Sequence, residues 1–140
     1  MTVHESNSQA ETFRLAEKLG KQLKPGAIVA LTGEIGSGKT VFIKGVAHGL
    51  GVKNRDEVKS PTFVLLHLYK GKIPLQHFDL YRLEKPAELE AIGFDEFVSN
   101  PDSVTLIEWA DRARPRIPKN AIWVEIKITG SSARKITIKK

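Results

Sequence analysis

Eight consecutive residues, Gly33-Glu34-Ile35-Gly36-Ser37-Gly38-Lys39-Thr40, satisfy the pattern G-x-x-x-x-G-K-[ST]. Three are glycine, a residue that loses much conformational entropy wherever the chain is ordered. That cost is offset if backbone N–H groups must turn inward around an anion, where side chains would intrude. A helix beginning near Gly38 adds its positive dipole end. Lys39 can then reach the β- and γ-phosphates, and the Thr40 hydroxyl can take a Mg²⁺ coordination position. The chemistry is capture of a nucleoside triphosphate, with Glu34, Ile35, Gly36, Ser37, Gly38, Lys39, Thr40 and Val41 as the cradle.

Three further segments carry residues suited to work on a bound phosphate. In Ser60-Pro61-Thr62-Phe63, Thr62 follows a polar loop, as a switch threonine sensing the γ-phosphate and Mg²⁺ would. In His77-Phe78-Asp79-Leu80-Tyr81-Arg82-Leu83, an extended chain puts His77, Asp79 and Tyr81 on one face and Phe78 and Leu80 on the other. Asp79 can orient water or bind Mg²⁺ through water, and Arg82 can meet phosphate or an acidic partner. For His77 a site lining and a satisfied structural histidine both stand. In Leu106-Ile107-Glu108-Trp109, a carboxylate ends an apolar strand, where the second acidic motif of phosphate-loop NTPases belongs. Aspartate is usual there; the longer arm of Glu108 can bind Mg²⁺ directly or position the attacking water. Trp109 is open to core packing or base stacking.

These residues need elements to hold them. Ser8 and Glu11 have capping-box spacing, and Phe13, Ala16, Leu19 and Leu23 recur at helical intervals, predicting a helix over Gln9 to Leu23. The apolar run 27–33 predicts a buried strand, and Phe42, Ile43, Val46, Ala47 and Leu50 mark a second helix ended by Gly51. Segments 63–69 and 73–81 flank Lys70-Gly71-Lys72 as an antiparallel hairpin. Pro86 starts a short helix that Gly93 stops, 103–109 is another buried strand, and 112–119 is a proline-broken basic loop. Segments 122–128 and 134–140 alternate around Gly130-Ser131-Ser132 as a second hairpin. The order predicts an α/β, P-loop NTPase-like sandwich with a mixed sheet, parallel at the centre and antiparallel at the hairpins, in one domain over 1–140.

Composition narrows the class. The chain has 140 residues, 41% hydrophobic and 27% charged, within the range of a globular domain. It has no cysteine, which excludes disulfides, thiolate metal sites and cysteine nucleophiles. No apolar run approaches the ~18 residues of a membrane span, and the N-terminus does not read as a signal peptide, so a cytoplasmic protein is expected. The net charge of +6 admits nucleic acid, nucleotide phosphate or an acidic protein surface as partner. Arg112, Arg114, Arg116 and Lys119 read as a solvated face. Lys53-Asn54-Arg55-Asp56 is not the N-K-x-D base-recognition motif of GTPases.

In order and spacing, 33–40, 60–63, 77–83, the segment Glu88 to Phe97 and Ile107-Glu108-Trp109 resemble the TsaE (formerly YjeE-like) family of small bacterial ATPases. The resemblance covers about Ser6 to Trp123; Ile35 and Ser37 stand where the family often has leucine and alanine. It implies ATP and Mg²⁺ as ligands, weak hydrolysis alone, and a role in tRNA threonylcarbamoyladenosine synthesis with the partner proteins TsaB and TsaD. Contact with tRNA would be indirect, through that complex, and no membrane would be involved. By motif, Lys39 and Thr40 hold phosphate and metal, Thr62 is the switch, and Asp79 and Glu108 are the acidic pair at metal and water. Catalytic roles then fall to Lys39, Asp79, Glu108 and Thr62, and metal ligation to Thr40 and Glu108. No arginine finger is evident, though Arg55 and Arg82 are within the chain. A small-molecule kinase with a basic lid at 112–119, and a non-hydrolysing nucleotide switch that binds RNA or protein, remain as alternatives.

Overall fold

The computed structural model describes residues 1–53 and 65–140. Seven strands form one sheet: β1 (Thr2–Ser6), β2 (Ile28–Gly33), β3 (Leu66–Tyr69), β4 (Leu75–Asp79), β5 (Val104–Glu108), β6 (Ile122–Ile128) and β7 (Arg134–Lys139). Their spatial order is β1-β7-β6-β2-β5-β4-β3. The pairs β6-β2, β2-β5 and β5-β4 are parallel, and the flanking pairs β1-β7, β7-β6 and β4-β3 are antiparallel. This is the expected mixed sheet, with one addition. The first strand has no clear alternating apolar pattern and exposes Val3; it forms because β7 offers a free edge.

Helices α1 (Gln9–Gln22) and α2 (Lys39–Gly49) cover one face. They bury Ala16, Leu19, Phe42, Ile43 and Val46 against Val29, Leu31, Leu106, Val124 and Ile126. The short helices α3 (Ala87–Ala91) and α4 (Phe94–Val98) and a 3₁₀ segment (Ala110–Arg116) cover the other, over Ile28, Ala30, Phe78 and Ile107. Strand β2 sends alternate residues into both cores, which is why its sequence is continuously apolar. The two large helices approach closely. A Cβ on Gly45 would lie 2.6 Å from the Ala16 Cβ, and one on Gly20 would lie 2.4 Å from the Val46 carbonyl.

The helix ends follow local chemistry. Ser8 Oγ accepts from the Glu11 N–H at 3.1 Å, while the Glu11 carboxylate reaches back to Asn7, one residue before the position a strict capping box uses. Gly51 adopts φ +83°, and its N–H and that of Val52 donate to the His48 and Ala47 carbonyls, closing α2 as a Schellman turn. Gly93 ends α3 as expected and, at φ +73°, also opens α4, a helix too short for its periodicity to be visible in sequence. The segment expected to be a basic loop turns as a 3₁₀ helix broken at Ala113.

Candidate nucleotide site

The topology delivers the site. Strands β2, β5 and β4 run parallel, so their C-terminal ends share one edge of the sheet, where ligands of open α/β sheets bind. Residues 34–38 leave β2 there and turn into α2. Gly36 and Gly38 adopt φ +80° and +104°, values that L side chains rarely reach. A Cβ on either would meet nothing within 4 Å, so glycine is required for conformation and not for space. Gly38 caps α2 without a side-chain hydrogen bond, and the first turn carries no acidic residue. The helix therefore presents its first N–H groups uncapped by side chains.

Lys39 is buried at the start of α2, although this residue type seldom is. Its Nζ donates to the Gly33 carbonyl and sits 3.4 Å from the ring centre of Trp109. Burial pushes the ammonium below its ordinary pKa, and the Glu108, Asp79 and Asp111 carboxylates oppose that shift. Trp109 is at φ 58°, the only non-glycine residue at positive φ among those described. That turn at the end of β5 lays the indole beside Lys39 and 5.0 Å from the Tyr81 ring.

The acidic pair is set by strand register. Asp79 and Glu108 are direct partners at the ends of β4 and β5. Both are nearly buried, at 9% and 4% exposure. Asp79 Oδ1 accepts from the Tyr81 N–H at 3.0 Å, and Glu108 Oε2 lies 3.2 Å from His77 Nε2. Burial first, then the Glu108 carboxylate, pushes Asp79 above the usual carboxylate range; the Tyr81 N–H, His77 and Lys39 pull the other way. His77 is fully buried behind Glu108, with its Nδ1 unpartnered among the described residues. It is neither a cavity lining nor a fully satisfied histidine.

Lys39, Thr40, Val41, Asp79, Tyr81, Glu108 and Trp109 line one cavity of about 480 Å³, together with Gln9, Ile35, Gly36 and Gly38. Thr40, Asp79 and Glu108 thus bring hard oxygen donors to the cavity that Lys39 also lines, a donor set that fits Mg²⁺. Among the described residues no three His, Cys, Asp or Glu side chains form a metal cage. A second cavity of about 270 Å³ adjoins the loop. It is lined by Gly36, Ser37, Gly38 and Val41, by Asn7, Ser8, Gln9 and Thr12 around the start of α1, and by Ser131, Ser132 and Arg134 of the last hairpin.

Some expected residues lie elsewhere. The Glu34 side chain lines a separate groove with Asp111 and Lys127, and Ile35 borders that groove as well as the phosphate cavity. Thr62 and Arg55 fall outside the described residues, and Arg82 is exposed and lines neither cavity. Of the four basic residues at 112–119, Arg112, Arg114 and Lys119 are exposed, as a solvated face requires, and Arg116 is half-buried. Arg112 stacks 5.6 Å from Tyr81 and 5.5 Å from Trp109, Arg114 lies 4.3 Å from the Trp123 ring, and Arg116 pairs with Asp95 and Glu90. Gln9, Arg112 and Arg134 were not legible as site neighbours, because no local motif marks them and only the sheet order brings them near.

Known proteins resemble this chain in sequence and in fold. The family model described as "Threonylcarbamoyl adenosine biosynthesis protein TsaE" matches residues 6–136. The tRNA threonylcarbamoyladenosine biosynthesis protein TsaE of Treponema pallidum is 36% identical over 133 residues, covering 95% of this chain and 96% of its own. The protein of that name from Bacillus subtilis is 39% identical over 128 residues, covering 91% and 78%. The crystal structure of Bacillus subtilis YdiB superposes with a TM-score of 0.79 at 30% identity, over 98% of this chain and 83% of that one. With a phosphate loop on a mixed sheet, and relatives matched nearly end to end, this chain belongs to the TsaE family of threonylcarbamoyladenosine biosynthesis proteins.

Proposed function

We propose that the chain is a Mg²⁺-dependent ATPase that supports tRNA N6-threonylcarbamoyladenosine synthesis, hydrolysing ATP in association with TsaB and TsaD so that the modifying complex turns over repeatedly. The observation that carries this reading is the convergence of Lys39, Thr40, Asp79 and Glu108 on one cavity at the start of α2. Loop N–H groups and Lys39 bind the β- and γ-phosphates. The hydroxyl of Thr40 and the carboxylate of Glu108 would hold Mg²⁺, with Asp79 acting through water, and the ion would supply neutralisation of charge that develops on the phosphate oxygens. Glu108 also faces the space where an attacking water would stand, and His77 steadies it from behind. Thr62 is assigned the γ-phosphate switch. The nucleoside end fits the adjoining cavity beside the start of α1.

The kinase alternative needs a basic lid free to close. Arg114 and Arg116 are engaged with the body of the protein, which favours water over a metabolite as acceptor. The test is steady-state phosphate release from ATP and Mg²⁺ by the chain alone and with TsaB, TsaD and tRNA. Slow release that rises sharply with the partners is expected. A γ-phosphate recovered on a metabolite, or no stimulation by the partners, would overturn the proposal.

A further inference from the structure

Arg134 opens β7, 97 residues along the chain from Ser37, and all four of its hydrogen bonds go to carbonyl oxygens. Nε donates to Ser37 at 3.0 Å and Nη2 to Gly36 at 3.2 Å. Nη1 donates to Ala133 at 2.8 Å and to Gly130 at 3.1 Å, in the turn that joins β6 to β7. One planar cation thus ties the phosphate loop to the last hairpin, a fork geometry that an ammonium cannot copy.

Peptide geometry gives the tie a consequence. In a trans peptide the C=O of one residue and the N–H of the next point in opposite directions. Holding the Ser37 carbonyl towards Arg134 aims the Gly38 N–H away from it. Holding the Gly36 carbonyl aims the Ser37 N–H inward across the loop, where it donates to Glu34 at 3.0 Å and closes the turn. Gly36 and Gly38 leave these peptide planes unusually free to swing, and a carbonyl swung towards the phosphates would repel them. The loop's own glycines therefore create the need for an external clamp.

We infer that Arg134 is the positioning residue that presets the phosphate loop, acting through the Gly36 and Ser37 carbonyls and not by touching phosphate. The inference rests on the nucleotide-binding reading of the loop. Its test compares Arg134→Lys, which keeps the charge and loses the fork, with Arg134→Gln, which loses the charge. Mg²⁺·ADP affinity is measured by calorimetry at two salt concentrations, with the melting temperature alongside.

Both variants are expected to bind Mg²⁺·ADP about 10- to 100-fold more weakly, since each loses charged hydrogen bonds that hold the loop carbonyls. Amide exchange of Gly38, Lys39 and Thr40 in the nucleotide-free protein should quicken about tenfold. A lysine variant that binds as tightly as wild type while the glutamine variant does not would assign Arg134 a direct charge role and overturn the inference. Unchanged amide exchange would do the same. If Arg134→Gln fails to fold, Arg134→Lys decides alone. Wild-type protein that binds no Mg²⁺·ADP would sink the nucleotide reading itself, while the exchange comparison would still test the clamp.

Discussion

Asp79→Asn should stabilise the nucleotide-free protein while disabling it. Asn keeps the shape of the side chain and the oxygen that accepts the Tyr81 N–H, so little else changes. What it removes is one of two carboxylates held side by side by strand register, both almost out of water. Two like charges one strand spacing apart, about 4.8 Å, repel by roughly 3.5 kcal/mol at an effective dielectric near 20. Lys39 and His77 offset part of this, leaving an expected gain of about 1–3 kcal/mol at neutral pH. For a chain of this size that is a rise in melting temperature of roughly 4–12 °C. The sign with pH follows from the raised pKa of Asp79. Between the ordinary carboxylate value of 3.8 and the raised one, the folded protein holds a proton that the unfolded chain has released. Wild-type stability therefore falls as pH rises through that window, and the variant lacks this loss. Thermal melts of both proteins from pH 3 to pH 8, without nucleotide, should show curves that coincide at the acid end and diverge upward. Added Mg²⁺·ADP should stabilise wild type more than the variant, because the cation relieves the same repulsion. A variant less stable than wild type at pH 7, or a gain that does not vary with pH, would refute the argument.

Other perturbations separate the remaining roles. Gly38→Ala meets no steric obstacle but must hold an alanine at φ +104°, at a cost of roughly 1–3 kcal/mol; Mg²⁺·ADP binding should weaken at least fivefold, measured by calorimetry. Gly45→Ala sets a helix-propensity gain of about 1 kcal/mol against overpacking of roughly 1–3 kcal/mol, with a Cβ only 2.6 Å from that of Ala16. Urea unfolding should show net destabilisation, and a more stable variant would mean that α1 yields freely. Thr62→Ala should lower partner-stimulated phosphate release at least 100-fold while ADP affinity stays within about threefold. Glu108→Gln should lower release by at least as much and also weaken Mg²⁺·ADP binding, because it removes a proposed metal ligand. A large loss of ADP binding in Thr62→Ala would contradict its switch role. His77→Leu should lower kcat about tenfold without moving ADP affinity, and His77→Gln, which retains an N–H donor, should recover part of it.

The parts of this molecule that read clearly in sequence are those specified by neighbours along the chain. Within 33–40 the glycines at 36 and 38 answer a local demand for positive φ, so the motif is visible in the sequence. The run Ile28 to Leu31 is apolar because both faces of β2 are covered, and the hairpins announce themselves by alternation and turn residues. What was not legible depends on partners distant in the chain. Strand β1 exists because β7 leaves an edge open, and α4 because Phe94 finds Phe78 at 4.9 Å. The contact between Trp109 and Lys39 needs a left-handed turn at a non-glycine residue, which no propensity would select. Arg134 sits in a strand whose alternation accounts for it as an outward-facing cation; only the sheet order carries it to the loop.

The disposition of positive charge bears on why hydrolysis should wait for a partner. A triphosphate in this cavity would face one buried lysine, itself beside two carboxylates. Among the described arginines around the loop, Arg134 is held by four carbonyls and Arg112 is stacked on Tyr81 and Trp109. Redirecting either towards the γ-phosphate would break contacts that shape the site. A cation aimed at the transferring phosphoryl group is worth about 10³–10⁵ in rate, so on the proposed ATPase reading a site with none in place among the described residues is expected to turn ATP over slowly. The exposed Ile35 at the tip of the loop and the half-open Tyr81 ring at the cavity mouth leave the missing group a direct approach from outside the chain. On the proposed reading, binding and hydrolysis are therefore separable: the loop, Lys39 and the acidic pair of this chain would hold the nucleotide, and the rate would depend on the group that completes the charge.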